Sequence, residues 1–305
     1  MLTDKFSGMF YGIIIGENLG NINKLSNQSC IGNKYIDYII SIENMSINIK
    51  CMFELCEYVT QNNSYDRFKI LQHYFELLSK ELYLQGNFKI LFDNFKYYFT
   101  YENFMIHYNN ILVKLYNKEL LNKTNEGLIR CIPMILFTTD EIIQDCYITN
   151  PVQECIDCNI FFLQILKRCL NNDPVELKDE WTKNLNIKKL IKLVNTDLGM
   201  DLSYNQNNCY NTLYCILYAY VHINTFEDAM EWVISNSRDD VNENACMVGC
   251  IMGAKIGNKM MDEHITYFNM MKILNNNETN KHIKNLECYV DKFTEIYKSK
   301  NLNKI

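Results

Sequence analysis

The stretch Gly8-Met-Phe-Tyr-Gly12-Ile-Ile-Ile-Gly16-Glu-Asn-Leu-Gly20 carries a glycine at every fourth position. Residues four apart share one face of a helix, so these glycines form a stripe that lets a second backbone approach closely. Phe6, Met9, Phe10 and Ile13 recur at i, i+3, i+4 and i+7, which predicts an amphipathic helix with Asp4 placed to cap it and Gly20 to stop it. The same period predicts helices at about 44–60, 66–84, 103–121, 126–137, 152–170, 209–221, 225–236 and 242–257. A final stripe runs through Ile283, Leu286, Val290, Phe293 and Tyr297. Only three prolines interrupt the 305 residues, and the hairpin dipeptides Asn-Gly and Asp-Gly are absent. The expected fold is all-α, a single domain over residues 1–305, with Asn171 to Glu180 as a surface loop between two helical groups.

Composition narrows the function classes. Thirty Lys and Arg against 36 Asp and Glu give a net charge of −6 and a pI near 5.5. Phosphate binding needs a concentrated basic surface, so a nucleic-acid partner is not expected. The Lys183 to Lys192 stretch is interleaved with Leu and Ile and reads as one helix face. The 13 cysteines are odd in number, scattered from Cys30 to Cys288, and several, such as Cys215, Cys246 and Cys250, sit inside apolar helical patterns. They read as small buried hydrophobes of a reducing compartment. Cys155 and Cys158 have CxxC spacing but lack the second pair of a zinc site and the strand of a thioredoxin-like one. The apolar run Gly8 to Ile15 is too short to span a bilayer, so the protein is expected to be intracellular, cytoplasmic and without a membrane partner. Heavy use of Asn, Ile, Lys and Tyr points to an AT-rich genome, such as that of an intracellular parasite or a large DNA virus.

Three further clusters carry chemistry. Ile42-Glu43-Asn44-Met45 precedes the apolar helix containing Ile47, Ile49, Met52 and Leu55; its acid and amide either cap that helix or offer oxygen ligands to a hard cation. Asn125-Glu-Gly-Leu-Ile-Arg130-Cys-Ile-Pro133 places one Arg in an apolar helix, where it requires an anionic partner. Asp239-Asp240-Val-Asn242-Glu243 crowds oxygen donors at a helix start, followed by Gly249, Gly253 and Gly257 at four-residue spacing.

Taken in order, these segments resemble the ADP-ribosylglycohydrolase family from about residue 5 to 260. Gly16-Glu-Asn-Leu-Gly20 resembles the family's Gly-Asp-Ala-Leu-Gly, and Ile42 to Met45 stands where its Thr-Asp-Asp-Thr motif is found. Asn125 to Pro133 is similar to Asn-Gly-x-x-Met-Arg-x-x-Pro, with Asn125, Arg130 and Pro133 retained. Thr149-Asn150 corresponds to a Thr-His pair, and Asp240 to Glu243 to the Asp-Thr-Asp-Thr of the C-terminal signature.

The resemblance implies a compact, orthogonal multi-helix domain and a cleft that binds two Mg²⁺ or Mn²⁺ ions and ADP-ribose. It further implies hydrolysis at the ribose carbon bonded to a protein side chain or other acceptor. On that reading Asn125, Thr149 and Asn150 contact the ligand. Glu43, Asn44, Asp240, Asn242 and Glu243 take the metal positions, and Glu43 is the candidate catalytic base. The departures fall on the metal set. Of four aspartates only Asp240 remains, the others aligning with Glu43, Asn44 and Asn242, while the threonines become Ile42 and Glu243. Four carboxylates become three. An amide oxygen brings no charge against cation desolvation, and Glu moves its oxygens by more than about 1 Å where a preorganised site tolerates roughly 0.5 Å. Two readings follow: a divergent enzyme acting on ADP-ribose or ADP-ribosylated protein, or a non-catalytic member that binds such ligands or serves as a structural or interaction protein. Both require Glu43, Asn44, Asp240 and Asn242 to converge on one cleft and Arg130 to be buried against a carboxylate.

Overall fold

The structure is a computed structural model and describes residues 1–26, 45–80, 84, 86–95, 101–117, 121, 123–174, 176–200, 208–237, 240–259 and 285–302. It is all-α, and no strand occurs among the described residues. The chain groups into two compact units, residues 46–163 and the remainder, residues 1–45 with 164–305.

The larger unit is built on α1 (Leu2–Ser26) and α12 (Val241–Ile256), which run antiparallel with their glycines interleaved. A Cβ added at Gly12 would lie 2.1 Å from the Gly249 carbonyl oxygen, and one at Gly249 would lie 2.1 Å from that of Gly12. The backbones therefore touch directly, as the four-residue spacing anticipates. Gly20 does not stop α1, which continues to Ser26. Its missing side chain is used for packing instead, because a Cβ there would meet the Asn242 Cα at 2.3 Å. Asp4 is likewise not the cap: it lies inside the first turn and accepts a hydrogen bond from the Lys259 amide at 3.0 Å, near the far end of α12.

Around this pair pack α10 (Cys209–His222), α11 (Phe226–Asn236) and α13 (Leu286–Leu302), with α9 (Leu185–Asn195) against α10. The final stripe is buried as its spacing requires. Leu286, Val290, Phe293 and Tyr297 face inward, and Phe293 meets Phe6 and Phe10 edge-on at 6.1 and 5.4 Å. Ile283 lies outside the described residues. Lys5 and Lys255 are drawn into the unit by orphan helix-end carbonyls. Lys5 donates to the Cys169 carbonyl, and Lys255 donates to those of Tyr220 and Ile223 at 3.0 and 2.6 Å. Burial lowers the pKa of both ammonium groups.

The smaller unit contains α2 (Ile47–Asn62), α3 (Arg67–Leu78), α4 (Gly86–Phe95), α5 (Tyr101–Asn117), α6 (Glu126–Arg130), α7 (Thr139–Cys146) and the first part of α8 (Gln153–Asn171). The predicted helix 126–137 divides at Cys131 into α6 and a 3₁₀ turn, Ile132–Leu136. Pro133 lacks the N–H that an α-helix would need there. The stretches that form α4 and α7 give no long apolar period, which is why sequence reading passes over them. α7 depends on its ends: the Thr138 hydroxyl and the Glu141 carboxylate form a reciprocal capping box. Eleven of the twelve described cysteines, Cys155 and Cys158 among them, are buried without disulfides; Cys288 is exposed. No described helix is long and apolar enough to cross a membrane.

Candidate functional site

In the smaller unit Arg130 is fully buried and carries its own counter-ion. Its Nη1 donates to the Asp145 carboxylate at 2.5 Å, and both side chains are 0% exposed. Nη2 donates to the Asp145 carbonyl at 3.2 Å and to the Thr149 hydroxyl at 3.0 Å. Asp145 comes from the last turn of α7, fifteen residues on, and no local pattern in the sequence points to it. Burial pushes the Asp145 carboxyl above its ordinary range against the pull of Arg130, while the guanidinium is held firmly protonated. The nearby thiols of Cys51 and Cys146 are pushed up by burial, the latter to about 12, so neither is a nucleophile at neutral pH.

From Arg130 a chain of hydrogen bonds runs in one direction. The Thr149 hydroxyl, having accepted from Arg130, gives its single proton to the Asn150 Oδ1 at 2.6 Å. The Asn150 Nδ2 donates to the Thr124 hydroxyl at 2.7 Å, which donates to the Glu126 carboxylate at 3.2 Å. Glu126 also accepts from the Asn87 amide, at 3.1 and 3.3 Å, in the first turn of α4. Asn87 closes the circuit by donating its Nδ2 to the Thr149 carbonyl at 3.1 Å. Each hydroxyl has one proton to give, so a cation at one end and a carboxylate at the other fix the orientation of every group between them.

The structure thus brings together the three predicted ligand-contacting residues of this unit. Asn125 opens α6, and Thr149 and Asn150 are members of the circuit; all three are buried. Thr124, Glu126, Asn87 and Asp145 were not singled out from sequence, although Glu126 and Gly127 lie inside the quoted motif. Gly127 is tightly enclosed: a Cβ there would sit 2.9 Å from the Asn159 Nδ2.

In the larger unit the start of α12 carries Asp240, Asn242 and Glu243 within one turn. Asp240 occupies the N-cap position but makes no side-chain capping bond to the helix. Helix capping therefore does not account for its carboxylate. Asp240 and Asn242 are each 7% exposed and Glu243 is half-buried. Asn242 is fixed against the Gly20 backbone of α1. Glu43, Asn44 and Asp239 lie outside the described residues, and with them the convergence expected of the two oxygen-donor clusters. What α12 itself offers a hard cation is two carboxylates and one amide. Among the described residues no group of three or more His, Cys, Asp and Glu side chains is arranged to hold a metal ion.

Comparison with known proteins bears on the fold and the lineage. A search of curated proteins returns no match to this chain. Among solved structures, a chain of an ADP-ribosylglycohydrolase-related protein complex is similar at 12% identity, with a TM-score of 0.64 over 97% of this chain and 99% of that one. The sequence model for ADP-ribosylglycohydrolase matches residues 2–267. With that span taking in most of the sequence, the chain belongs to the ADP-ribosylglycohydrolase family.

Proposed function

We propose that this protein binds ADP-ribose, free or attached to a protein, and that its metal site is too degraded to sustain the two-cation hydrolysis associated with the family fold. The observation that carries the reading is Asn242. It stands at the start of α12 against the Gly20 backbone, at the position that the family resemblance gives to a metal ligand, and it carries an amide where a carboxylate is expected. With Asn44 as its counterpart in sequence, the cluster keeps the three carboxylates of Glu43, Asp240 and Glu243. Three carboxylates are compatible with one weakly held Mg²⁺ or Mn²⁺ and are poorly suited to two. No catalytic step through Glu43 is assigned on this basis. The Arg130-centred circuit supports the binding half of the reading, because it holds Thr149 and Asn150 in one fixed arrangement with Thr124 and Glu126, the residues that flank Asn125 in the chain. Such preorganisation favours a polar ligand such as a ribose over an apolar one.

The test combines calorimetric titration of ADP-ribose with a release assay on ADP-ribosylated protein, each with and without Mg²⁺ or Mn²⁺. Binding that changes little with metal, together with release at the uncatalysed rate, is expected. Metal-dependent release would overturn the degraded-site reading and assign an enzyme with Glu43 as its base or ligand. Absence of ADP-ribose binding would leave the structural or interaction role.

A further inference from the structure

The residues proposed to meet a ligand are covered. Asn125, Thr149 and Asn150 are 2%, 1% and 0% exposed, so a ligand reaches them only if a neighbouring element moves. What lies against Thr149 is the first turn of α4. Asn87, itself 0% exposed, donates its Nδ2 to the Thr149 carbonyl at 3.1 Å and its main-chain N–H to the Glu126 carboxylate at 3.1 Å. That N–H belongs to the first turn, where a helix offers no carbonyl of its own. Beside this tie, Phe88 and Leu91 of α4, Leu71 and Phe75 of α3, Tyr108 of α5 and Thr149 itself line a cavity of about 20 Å³.

We infer that α4 is a lid on this end of the circuit, in which Asn87 stands in for the hydrogen-bond donors of a ligand. Its release frees an acceptor on the Thr149 carbonyl and another on the Glu126 carboxylate, a pair that suits the hydroxyls of a ribose. Three features make α4 easy to release. A helix of ten residues is marginal by itself, and among the described residues α4 packs chiefly on α5, with Phe92 against Phe75 of α3 at 6.1 Å. The cavity beneath it forfeits contacts that a filled core would make. On its outer face the Lys89–Asp93 ion pair is solvated and holds little. An element with few buried contacts opens at less cost than its whole domain unfolds. The choice of a ribose rests on the ADP-ribose reading above; the opening of α4 does not.

The test uses Asn87→Ala, which removes the side-chain tie, and Leu91→Val, which thins the apolar face of α4 and leaves both ties in place. Amide hydrogen exchange and the association rate of ADP-ribose are measured on the full chain. In the wild type the Asn87 amide, protected by Glu126, is expected to exchange about tenfold or more faster than the slowest amides of α2. Asn87→Ala should speed exchange at position 87 by a further factor of about five to ten, the worth of one net hydrogen bond. ADP-ribose should then associate faster by the same factor, since only the open fraction accepts it. Leu91→Val should raise both rates together. Exchange in α4 no faster than in α2 would overturn the lid, because α4 would then open only with the whole unit. Faster exchange with an unchanged or slower association rate would overturn it too, leaving Asn87 as a contact that holds the site together. If the wild type binds no ADP-ribose, the ligand reading fails, and exchange at position 87 in the two variants still decides whether α4 opens.

Discussion

The seam between α1 and α12 and the core around Arg130 solve the same packing problem by opposite means. At the seam side chains are removed until two backbones touch, and what remains is dispersion and weak Cα–H contacts to carbonyl oxygens. Around Arg130 a full charge is admitted, then matched by Asp145 and extended through Thr149, Asn150 and Thr124 to Glu126. The seam has no slack, because its closest contacts are backbone against backbone. The polar core has slack in its protonation states, so its stability answers to pH. The first should fail all at once when an atom is added, and the second by degrees.

The largest effect is expected from Gly12→Ala. The new methyl would sit 2.1 Å from the Gly249 carbonyl oxygen, and neither helix can retreat without opening its other contacts. A loss of more than about 4 kcal/mol is expected, near the limit of what single substitutions do and enough to leave a marginal domain largely unfolded. Gly199→Ala is the control, because nothing lies within 4 Å of a Cβ there. It should be neutral or slightly stabilising through the unfolded chain. Denaturant midpoints that coincide for the two variants would break the contrast between seam and core.

Arg130→Met comes next. It strands the Asp145 carboxyl in a fully buried position, with an expected loss of about 3–5 kcal/mol near pH 8. Burial already raises that carboxyl, and removing the guanidinium takes away the group that opposes the rise. A proton on Asp145 then favours the folded state. That stability is fully present below the ordinary carboxylate value of about 3.9 and is lost as pH rises through the folded value. The deficit of Arg130→Met relative to wild type should therefore shrink from pH 8 to pH 5. A pH-independent deficit would mean that lost packing, not the stranded charge, carries the effect. Adding Asp145→Leu should recover part of the loss at pH 8.

This contrast also explains what sequence reading reached. The seam is legible because its cause is local and periodic: Gly8, Gly12 and Gly16 announce themselves, as do Gly249 and Gly253. The stop assigned to Gly20 failed because a glycine that ends a helix and one that admits a neighbour look alike until the neighbour is placed. That Arg130 needs an anion follows from its apolar surroundings, but its identity as Asp145 depends on how α7 packs. The same holds for Asn87, whose partners Glu126 and Thr149 are 39 and 62 residues away. Buried polar partners are chosen by topology, and nothing in the composition of a segment encodes them.

The smallest effect is expected at the end of the seam, where the two solutions meet in one residue: Asn242 is pinned by backbone contact yet stands in a polar cluster. On the proposed reading, in which Glu43 and Asn44 join Asp240, Asn242 and Glu243, Asn44→Asp with Asn242→Asp adds two charges at nearly unchanged side-chain length and raises the set from three carboxylates to five. Geometry is disturbed little, so what changes is repulsion. Without metal the crowded carboxylates destabilise the fold by an amount of order 1 kcal/mol, an effect that grows as they ionise. A divalent cation that binds only the folded chain reverses this by mass action, contributing about 2.7 kcal/mol at a hundredfold excess over its dissociation constant. Thermal unfolding of the double variant should therefore fall slightly below wild type in EDTA and rise by several degrees above its own apo value in Mg²⁺ or Mn²⁺. The wild type should move little. A large metal-induced rise in the wild type would show that its amides and carboxylates already make an adequate site. If neither protein responds, these residues form no metal site, and the rigidity of Asn242 serves packing alone.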